Sequence, residues 1–288
     1  MLQKSFFTLL FFGLISVATP AFSEVSPLSP QLSYADLADL AADTPLVIDA
    51  QIRKAIKVKP ERAPDVRQGH QRFYVEARVI NLVRGQGGIG RDISYLIDTP
   101  LDFRGRAPKL KKRHVLLFAY PVTGKPGSIQ LVGPDAQIDW TAENANMLRN
   151  ILSQAVASDA PPRITGIGNA FHVAGSIRGE GETQIFLNTE TGAPVSLSIL
   201  RRPGQEPRWS VALGEIVDES ATTPSPNSLL WYRLACSLPR QLPAKATAQL
   251  EGENLTMARE DYGVVLRGLG PCVRTRSMTG SGNLPPSR

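Results

Sequence analysis

The apolar run from Val115 to Tyr120 constrains the fold of this chain more than any other stretch. It is rich in Val, Leu, Phe and Tyr and is too short for a helix, so it predicts a buried β-strand. A ten-residue segment with six basic side chains and no acidic one precedes it. Those side chains are Arg104, Arg106, Lys109, Lys111, Lys112 and Arg113. The sequence therefore predicts a core strand that follows an exposed basic loop.

The first 23 residues have the organisation of a secretory signal peptide. Lys4 supplies the positive start, Phe6–Val17 is apolar, and the small residues Ala21 and Ser23 form a cleavage pattern. A membrane anchor is the alternative, but the apolar run is shorter than the roughly 20 residues that span a bilayer. We expect cleavage after Ser23, a flexible leader over 24–32, and a periplasmic or secreted protein.

The two cysteines, Cys236 and Cys272, fit an exported chain because such proteins usually oxidise an even number of cysteines. Neither cysteine belongs to a CxxC motif, and no histidine follows His172, so metal or thiol chemistry lacks neighbouring groups. We predict a disulfide between them, which would stabilise the fold by about 4 kcal/mol in the chain-entropy treatment.

The formal net charge is +6, and removal of Lys4 with the signal peptide leaves +5. In an exported protein, this excess favours an anionic envelope polymer, a lipid headgroup or a protein as the partner. Solubility alone is the alternative explanation. Nucleic acid is not expected, because Phe103 is the only aromatic residue within the basic region.

Residues 33–158 predict a small β-barrel between two helices. Ser33 caps the first helix, and Thr141 with Trp140 begins the second. The segment Arg72–Arg84 alternates apolar and polar residues with period two, which excludes a helix there. The predicted strands are Leu46–Val58, Arg72–Arg84, Ile93–Ile97, Val115–Pro121 and Ile129–Val132.

The Asp159–Pro162 segment predicts a domain boundary, because two consecutive prolines neither continue a helix nor pair in a central strand. Residues 159–273 then predict an antiparallel meander covered by two helices that the disulfide ties together. One helix is expected to begin at Ser225 and Pro226, the other at Asn254, and 274–288 to be a disordered basic tail. The predicted strands are Thr183–Thr189, Val195–Arg201 and Arg208–Val217. The fold class is therefore α+β.

Two resemblances follow from longer segments. LADLAADTPLVIDAQIRKAI, RFYVEARV, PKLKKRHVLLFA, GEGETQIFL, LRRPGQEPRW and LWYRLAC resemble a family of uncharacterised exported proteins of alphaproteobacteria. That resemblance covers almost the whole mature chain and implies no activity. The segment from Leu46 to Tyr120 is similar to netrin-module and tissue-inhibitor-like domains, which implies an OB-type barrel. Those domains begin with a cysteine that contributes to inhibition, and this segment contains no cysteine, so their chemistry does not carry over.

Few residues are candidates for a catalytic site. Hydrolysis requires a base and a nucleophile, and His172 with Ser176 is the best pair, with Glu180 or Glu182 as the carboxylate. No G-x-S-x-G motif surrounds Ser176. The other histidines are His70, in a predicted loop, and His114, beside the basic segment.

Other chemistries find less support. The stretch Gly85–Gly90 matches G-x-G-x-x-G, but a strand rather than a helix is predicted after it, so we interpret it as a hairpin loop. No histidine pair has metal-ligand spacing, and we predict neither metal nor cofactor. A glycosidase would need paired carboxylates, for which the candidate pairs are Asp135 with Asp139 and Glu76 with Asp98.

These observations favour a non-enzymatic binding module that contacts an anionic envelope ligand or a protein through its basic loop. An envelope hydrolase, esterase-like or glycosidase, is the alternative.

Overall fold

Two antiparallel sheets and four α-helices make up the described part of the chain, which covers residues 31–214 and 222–276 of this computed structural model. The predicted α+β class is confirmed. The predicted signal peptide, most of the leader and residues 277–288 of the predicted tail lie outside the described residues. In chain order the elements are α1 (Tyr34–Ala42), β1 (Leu46–Lys57), β2 (His70–Arg84), β3 (Asp92–Pro100), β4 (His114–Pro121), β5 (Ile129–Leu131), β6 (Gln137–Asp139), α2 (Ala142–Val156), β7 (Ile164–Ala174), β8 (Gly181–Thr189), β9 (Val195–Arg201), β10 (Arg208–Ala212), α3 (Leu229–Ala235) and α4 (Gly252–Leu269).

The first sheet has the strand order β3-β2-β1-β4-β5, and the short strand β6 also pairs with β4. Its far edges approach each other where the Ser94 amide donates to the Gly127 carbonyl at 2.8 Å. The sheet therefore forms a nearly closed, barrel-like layer of five strands, as the sequence predicted in outline.

The strands β1 and β4 are buried on both faces. Inside the barrel lie Ile48 and Leu117, whereas Val47 and Phe118 point the other way into a second core shared with the helices. A strand that is covered on both sides loses the alternation of apolar and polar residues. This double burial explains the continuous apolar run in β4, and the predicted core strand is confirmed.

Helix α1 begins as predicted. The Ser33 hydroxyl accepts from the Asp36 amide at 3.1 Å, and the Asp36 carboxylate accepts from the Ser33 amide at 3.0 Å, so both halves of a capping box are present.

The second sheet has the order β10-β9-β8-β7, and α4 covers its inner face. The sequence did not predict β7, because Gly166 and Gly168 interrupt its apolar pattern and its pairing with β8 shifts register near both positions. Strand β10 ends at Ala212 rather than Val217, and residues 215–217 lie outside the described part of the chain.

Two predicted helix starts were wrong. Helix α3 is capped by Ser228, whose hydroxyl accepts from the Trp231 amide at 3.1 Å, three residues later than the expected Ser225 cap. Helix α4 begins at Gly252 rather than at Asn254. The segment before α3 contains several serines competent to cap a helix, whereas the N-cap of α4 is Glu251, which makes no side-chain capping bond.

The predicted disulfide between Cys236 and Cys272 is present. Cys236 is the C-cap of α3, and Cys272 follows Gly270, where α4 ends with a φ of 70°. The bridge therefore joins the ends of the two helices. Within the described residues, no helix is long and apolar enough to cross a membrane.

The described residues from Leu32 onward form one compact unit. One hydrophobic cluster contains Leu148 from α2 and Leu197 from β9, so the core continues across the Asp159–Pro162 segment. At the start of the predicted tail, the Arg274 side chain donates to Asp39 at 2.6 Å. The Thr275 amide donates to Asp36 at 2.9 Å.

Candidate functional site

The basic loop, residues 104–113, joins β3 to β4 at the rim of the barrel. Leu110 is buried in the barrel core, and the Lys112 amide donates to the Ile52 carbonyl at 2.8 Å. In return, the Ile52 amide donates to the Arg113 carbonyl at 2.9 Å. Lys112 has a φ of 73°, in the left-handed region that non-glycine residues rarely adopt. These contacts hold the C-terminal half of the basic loop on the barrel.

Two of the six cations of the basic loop are neutralised by acids that lie outside it. Arg106 Nε donates to Asp102 Oδ2 at 3.1 Å, and Arg113 Nε donates to Asp139 Oδ1 at 2.9 Å. The other four make no ion pair with the described residues of the chain and are exposed to solvent. They are Arg104, Lys109, Lys111 and Lys112.

Phe103, next to the basic loop, is 90% exposed. The Arg104 guanidinium lies 5.0 Å from the centre of its ring. A cation at this distance from an aromatic face gains a modest cation–π attraction. The rim of the barrel therefore combines unpaired cations with one exposed ring.

His172 lies on the inner face of the second sheet and is almost fully buried. Its Nδ1 is 2.8 Å from the Thr183 hydroxyl oxygen, and that hydroxyl donates to Asp261 of α4. A hydroxyl has a single proton, so Thr183 accepts from His172, whose Nδ1 must therefore carry hydrogen. Arg201 Nε donates to the other oxygen of Asp261 at 2.5 Å.

The residues proposed to work with His172 lie elsewhere. Ser176 is exposed in the turn after β7, and the described structure contains no hydrogen bond between it and His172. Glu182 accepts instead from Gln184 at 3.0 Å. The carboxylate near the imidazole is Asp261, and the hydroxyl bonded to it belongs to Thr183, which is 0% exposed. A nucleophile must reach substrate, so this cluster is arranged as a structural network.

A second histidine and carboxylate pair lies on the barrel wall. His114 Nε2 is 2.5 Å from Asp49 Oδ1, and Asn81 donates to the other Asp49 oxygen at 3.4 Å. The imidazole stacks on Trp140, with ring centres 4.4 Å apart and planes within 8°. Sequence reasoning did not find this pair. Its only signal was an aspartate inside the apolar stretch LVIDA, because a buried acid requires a partner.

The His114 imidazole is held by Asp49 and lies one residue beyond the basic loop. Its side chain is 33% exposed. No serine, threonine or cysteine is hydrogen-bonded to it within the described residues, so the pair lacks a nucleophile of its own. His70, the remaining histidine, is at the start of β2, where its Nε2 is 2.8 Å from an Arg67 nitrogen.

The acids considered for a glycosidase are engaged with separate cations. Glu76 pairs with Lys54 and Asp98 with Arg72. The carboxylates of Asp135 and Asp139 likewise bind two different arginines. Each acid thus has its own cation, which is an arrangement of structural ion pairs.

The glycine-rich stretch 85–90 forms the loop between β2 and β3, as the hairpin interpretation predicted. Gly87 and Gly88 both have a φ of 77°, and strand β3 follows from Asp92. A dinucleotide site would need a helix N-terminus at this place. Within residues 31–214 and 222–276, no group of three or more His, Cys, Asp or Glu side chains has metal-binding geometry.

Neither a protein-family model nor a curated protein sequence matches this chain. The two resemblances described above therefore stay predictions, and the function has to be argued from the residues.

Proposed function

We propose that this protein is an exported, non-enzymatic binding module that recognises anionic polymers or lipid headgroups of the cell envelope through its basic loop. The observation that carries the proposal is the presence, in a loop anchored by Leu110, of four exposed cations that form no ion pair with the described residues. An anchored loop loses less conformational freedom on binding than a free one, so more of the electrostatic attraction remains as affinity.

The fold around this surface supports a finer proposal, an OB-like barrel. Five strands surround one core, the order is β3-β2-β1-β4-β5, and Ser94 of β3 makes a parallel bridge with Ser128, the residue before β5. OB barrels are partly open five-stranded barrels that bind linear polymers.

The signal-peptide pattern supports the proposed location, and so does the disulfide between Cys236 and Cys272. Disulfides persist in oxidising compartments such as the periplasm or the extracellular space. A protein partner with an acidic surface is the other class of ligand that the same cations would attract.

The test compares two charge-reversed variants of the mature protein that have the same net charge. One is Lys111→Glu with Lys112→Glu in the basic loop. The control is Lys125→Glu with Lys245→Glu, which reverses two exposed lysines elsewhere. Binding is measured to heparin, to vesicles containing phosphatidylglycerol and to vesicles of phosphatidylcholine alone, at low salt and near 0.15 M salt.

We expect the basic-loop variant to bind heparin or the anionic vesicles at least about thirtyfold more weakly, since each lysine near an anionic surface contributes about 1 kcal/mol and the two new carboxylates add repulsion. The control should bind almost as the wild type does, and all binding should weaken near 0.15 M salt, where the Debye length is about 8 Å. Equal losses in both variants, or binding to neither anionic probe, would contradict the proposal.

A further inference from the structure

A cavity of about 410 Å³ lies between α1, α2, α3 and the start of β7. Its apolar wall includes Ala38, Ile151 and Leu152. Among the described residues, its polar lining includes three arginines and no acid. The arginines are Arg84, Arg163 and Arg233. This volume falls within the range of about 300–1,000 Å³ that is usual for small-molecule sites.

Two of the three arginines hold the end of α1. Arg84 Nη1 donates to the Ala41 carbonyl at 2.7 Å. Arg163 Nη2 donates to the Ala42 carbonyl at 3.1 Å and to Asp43 at 2.6 Å. Basic groups at these carbonyls are favoured by the helix dipole. A structural role therefore accounts for Arg163 fully, whereas Arg84 forms no ion pair with an acid in the described part of the chain.

No contact of this kind explains the position of Arg233. It is partly buried, and its side chain has no hydrogen-bond acceptor or ion pair within the described residues. Burial and the positive charge of Arg163 lower its pKa, whereas Tyr232 and the negative charge of Glu190 oppose that shift. The Arg233 nitrogens are not among the fully buried polar atoms, so the guanidinium is open to solvent and free to receive an anion that enters the cavity.

A second unpaired polar group lies close by. The Tyr34 hydroxyl is buried without a hydrogen-bond partner among the described residues. The Tyr34 ring packs against Tyr232, which lines the cavity, with ring centres 6.4 Å apart. Burial raises the pKa of Tyr34 to about 12, and the charge of Arg233 opposes that rise, which places the two groups within electrostatic range of each other.

We propose that this cavity binds a small organic anion, whose carboxylate or phosphate group is held by Arg233 and Arg84. A guanidinium binds either group through two parallel hydrogen bonds, which explains arginine rather than lysine at these positions. A short apolar portion of the ligand would lie against Ala38, Ile151 and Leu152. This site is separate from the basic loop, and its ligand is a small molecule rather than a polymer.

The experiment uses the mature protein with its disulfide intact and three probes at constant ionic strength. Sodium pentanoate tests a carboxylate with an apolar body, phenyl phosphate tests a phosphate ester, and inorganic phosphate tests the bare anion. Binding is measured by calorimetry and by the rise in Tm relative to sodium chloride. We expect pentanoate or phenyl phosphate to raise Tm, and the relative affinities of the three probes to distinguish the head group.

Arg233→Met is expected to lower the affinity for the tightest-binding probe by about tenfold or more, because hydrogen bonds to a charged group are lost. Without ligand, this variant should unfold near the Tm of the wild type, since Arg233 makes no hydrogen bond or ion pair with the described residues that the substitution would remove. The matched control is Arg240→Met, which removes an exposed arginine after α3. It should bind the probe as the wild type does.

Arg233→Lys keeps the charge but not the bidentate geometry, so it should bind with intermediate affinity. The proposal is wrong if none of the three probes raises Tm above the chloride value, or if Arg233→Met binds as tightly as the control. The basic-loop variant should keep its affinity for the probe, so failure of this site and failure of the polymer-binding surface give different results.

Discussion

The covered faces of the two sheets are built from different chemistry. The barrel interior is lined by apolar side chains such as Ile48, Val75 and Leu117. The inner face of the second sheet is also largely apolar, with Ile185 and Leu197 in the core, but it carries in addition a buried polar network. In this network Asp261 of α4 accepts from Thr183 and Arg201, and Thr183 is bonded to His172. The second sheet therefore combines apolar packing with directional bonds.

This difference affects how precisely the elements packed on each sheet are positioned. Apolar side chains of similar volume replace one another at little cost, so an apolar interior constrains its neighbours loosely. Asp261 accepts from both Thr183 and Arg201, and these two bonds form together in one placement of α4. We infer that the network determines the register of α4 on the second sheet. The stability of the barrel depends instead on the volume of the apolar side chains that fill it.

The strongest way to break the comparison is Asp261→Ala. The substitution removes the acceptor of the buried Thr183 hydroxyl and the buried one of the two acids that pair with Arg201, and we expect the free energy of unfolding to fall by about 3–5 kcal/mol. Urea unfolding followed by circular dichroism measures the change.

The neighbouring Glu260→Ala is the matched control, because Glu260 pairs with the same Arg201 at 3.4 Å but its side chain is 57% exposed. Exposed pairs contribute about 0–1 kcal/mol. Equal losses in the free energy of unfolding from Glu260→Ala and Asp261→Ala would show that the buried network stabilises the fold no more than an exposed ion pair does.

A smaller effect is expected in the barrel, from Leu117→Ala. Leu117 is fully buried, so the cavity should cost about 3 kcal/mol, and the loss should be the same between about pH 5 and about pH 8 because no charge is involved. Leu117→Met conserves volume and should cost about 1 kcal/mol. Leu96→Ala is the exposed control, since Leu96 is 52% exposed. If Leu117→Met were as damaging as Leu117→Ala, the barrel would be as demanding as the network.

The smallest of the three effects concerns Asp36, which links α1 to the segment after α4. Burial raises the pKa of this carboxyl, but hydrogen bonds from Thr275 and Ser33 outweigh it and lower the pKa to about 2. A lowered pKa stabilises the fold above the unfolded value near 4, and that stability is lost as the pH falls from about 4 to about 2.

We therefore expect Asp36→Asn to cost about 1–2 kcal/mol at pH 7 and almost nothing at about pH 2. Acid titration of unfolding, compared between wild type and variant, measures this. Asp159→Asn serves as control because Asp159 is exposed in the loop after α2, and it should leave the acid profile unchanged. A gap between wild type and Asp36→Asn that persists at pH 2 would exclude the carboxylate as its source.

Local patterns predicted the local structure well. The Ser33 capping box, the period-two strand at Arg72–Arg84 and the apolar run at Val115–Tyr120 each specify their conformation through neighbours in sequence. The disulfide followed from the cysteine count and the expected compartment. Strand β7 was missed because its glycines and shifted register hide the alternation that identifies a strand.

By itself, the sequence determined the fold class, most of the elements, the disulfide and the basic loop, because each depends on residues close in the chain or on a simple count. Only the tertiary structure showed which side chains from distant segments are in contact. Asp49 meets His114 across 65 residues and Thr183 meets Asp261 across 78, while Arg84 and Arg233 line one cavity from β2 and α3. Such contacts depend on packing between distant segments, and a sequence pattern does not encode the distance between two side chains. The apolar run of β4 shows both sides of this division, since its composition specifies a strand, whereas burial on both of its faces comes from the barrel and the helices around it.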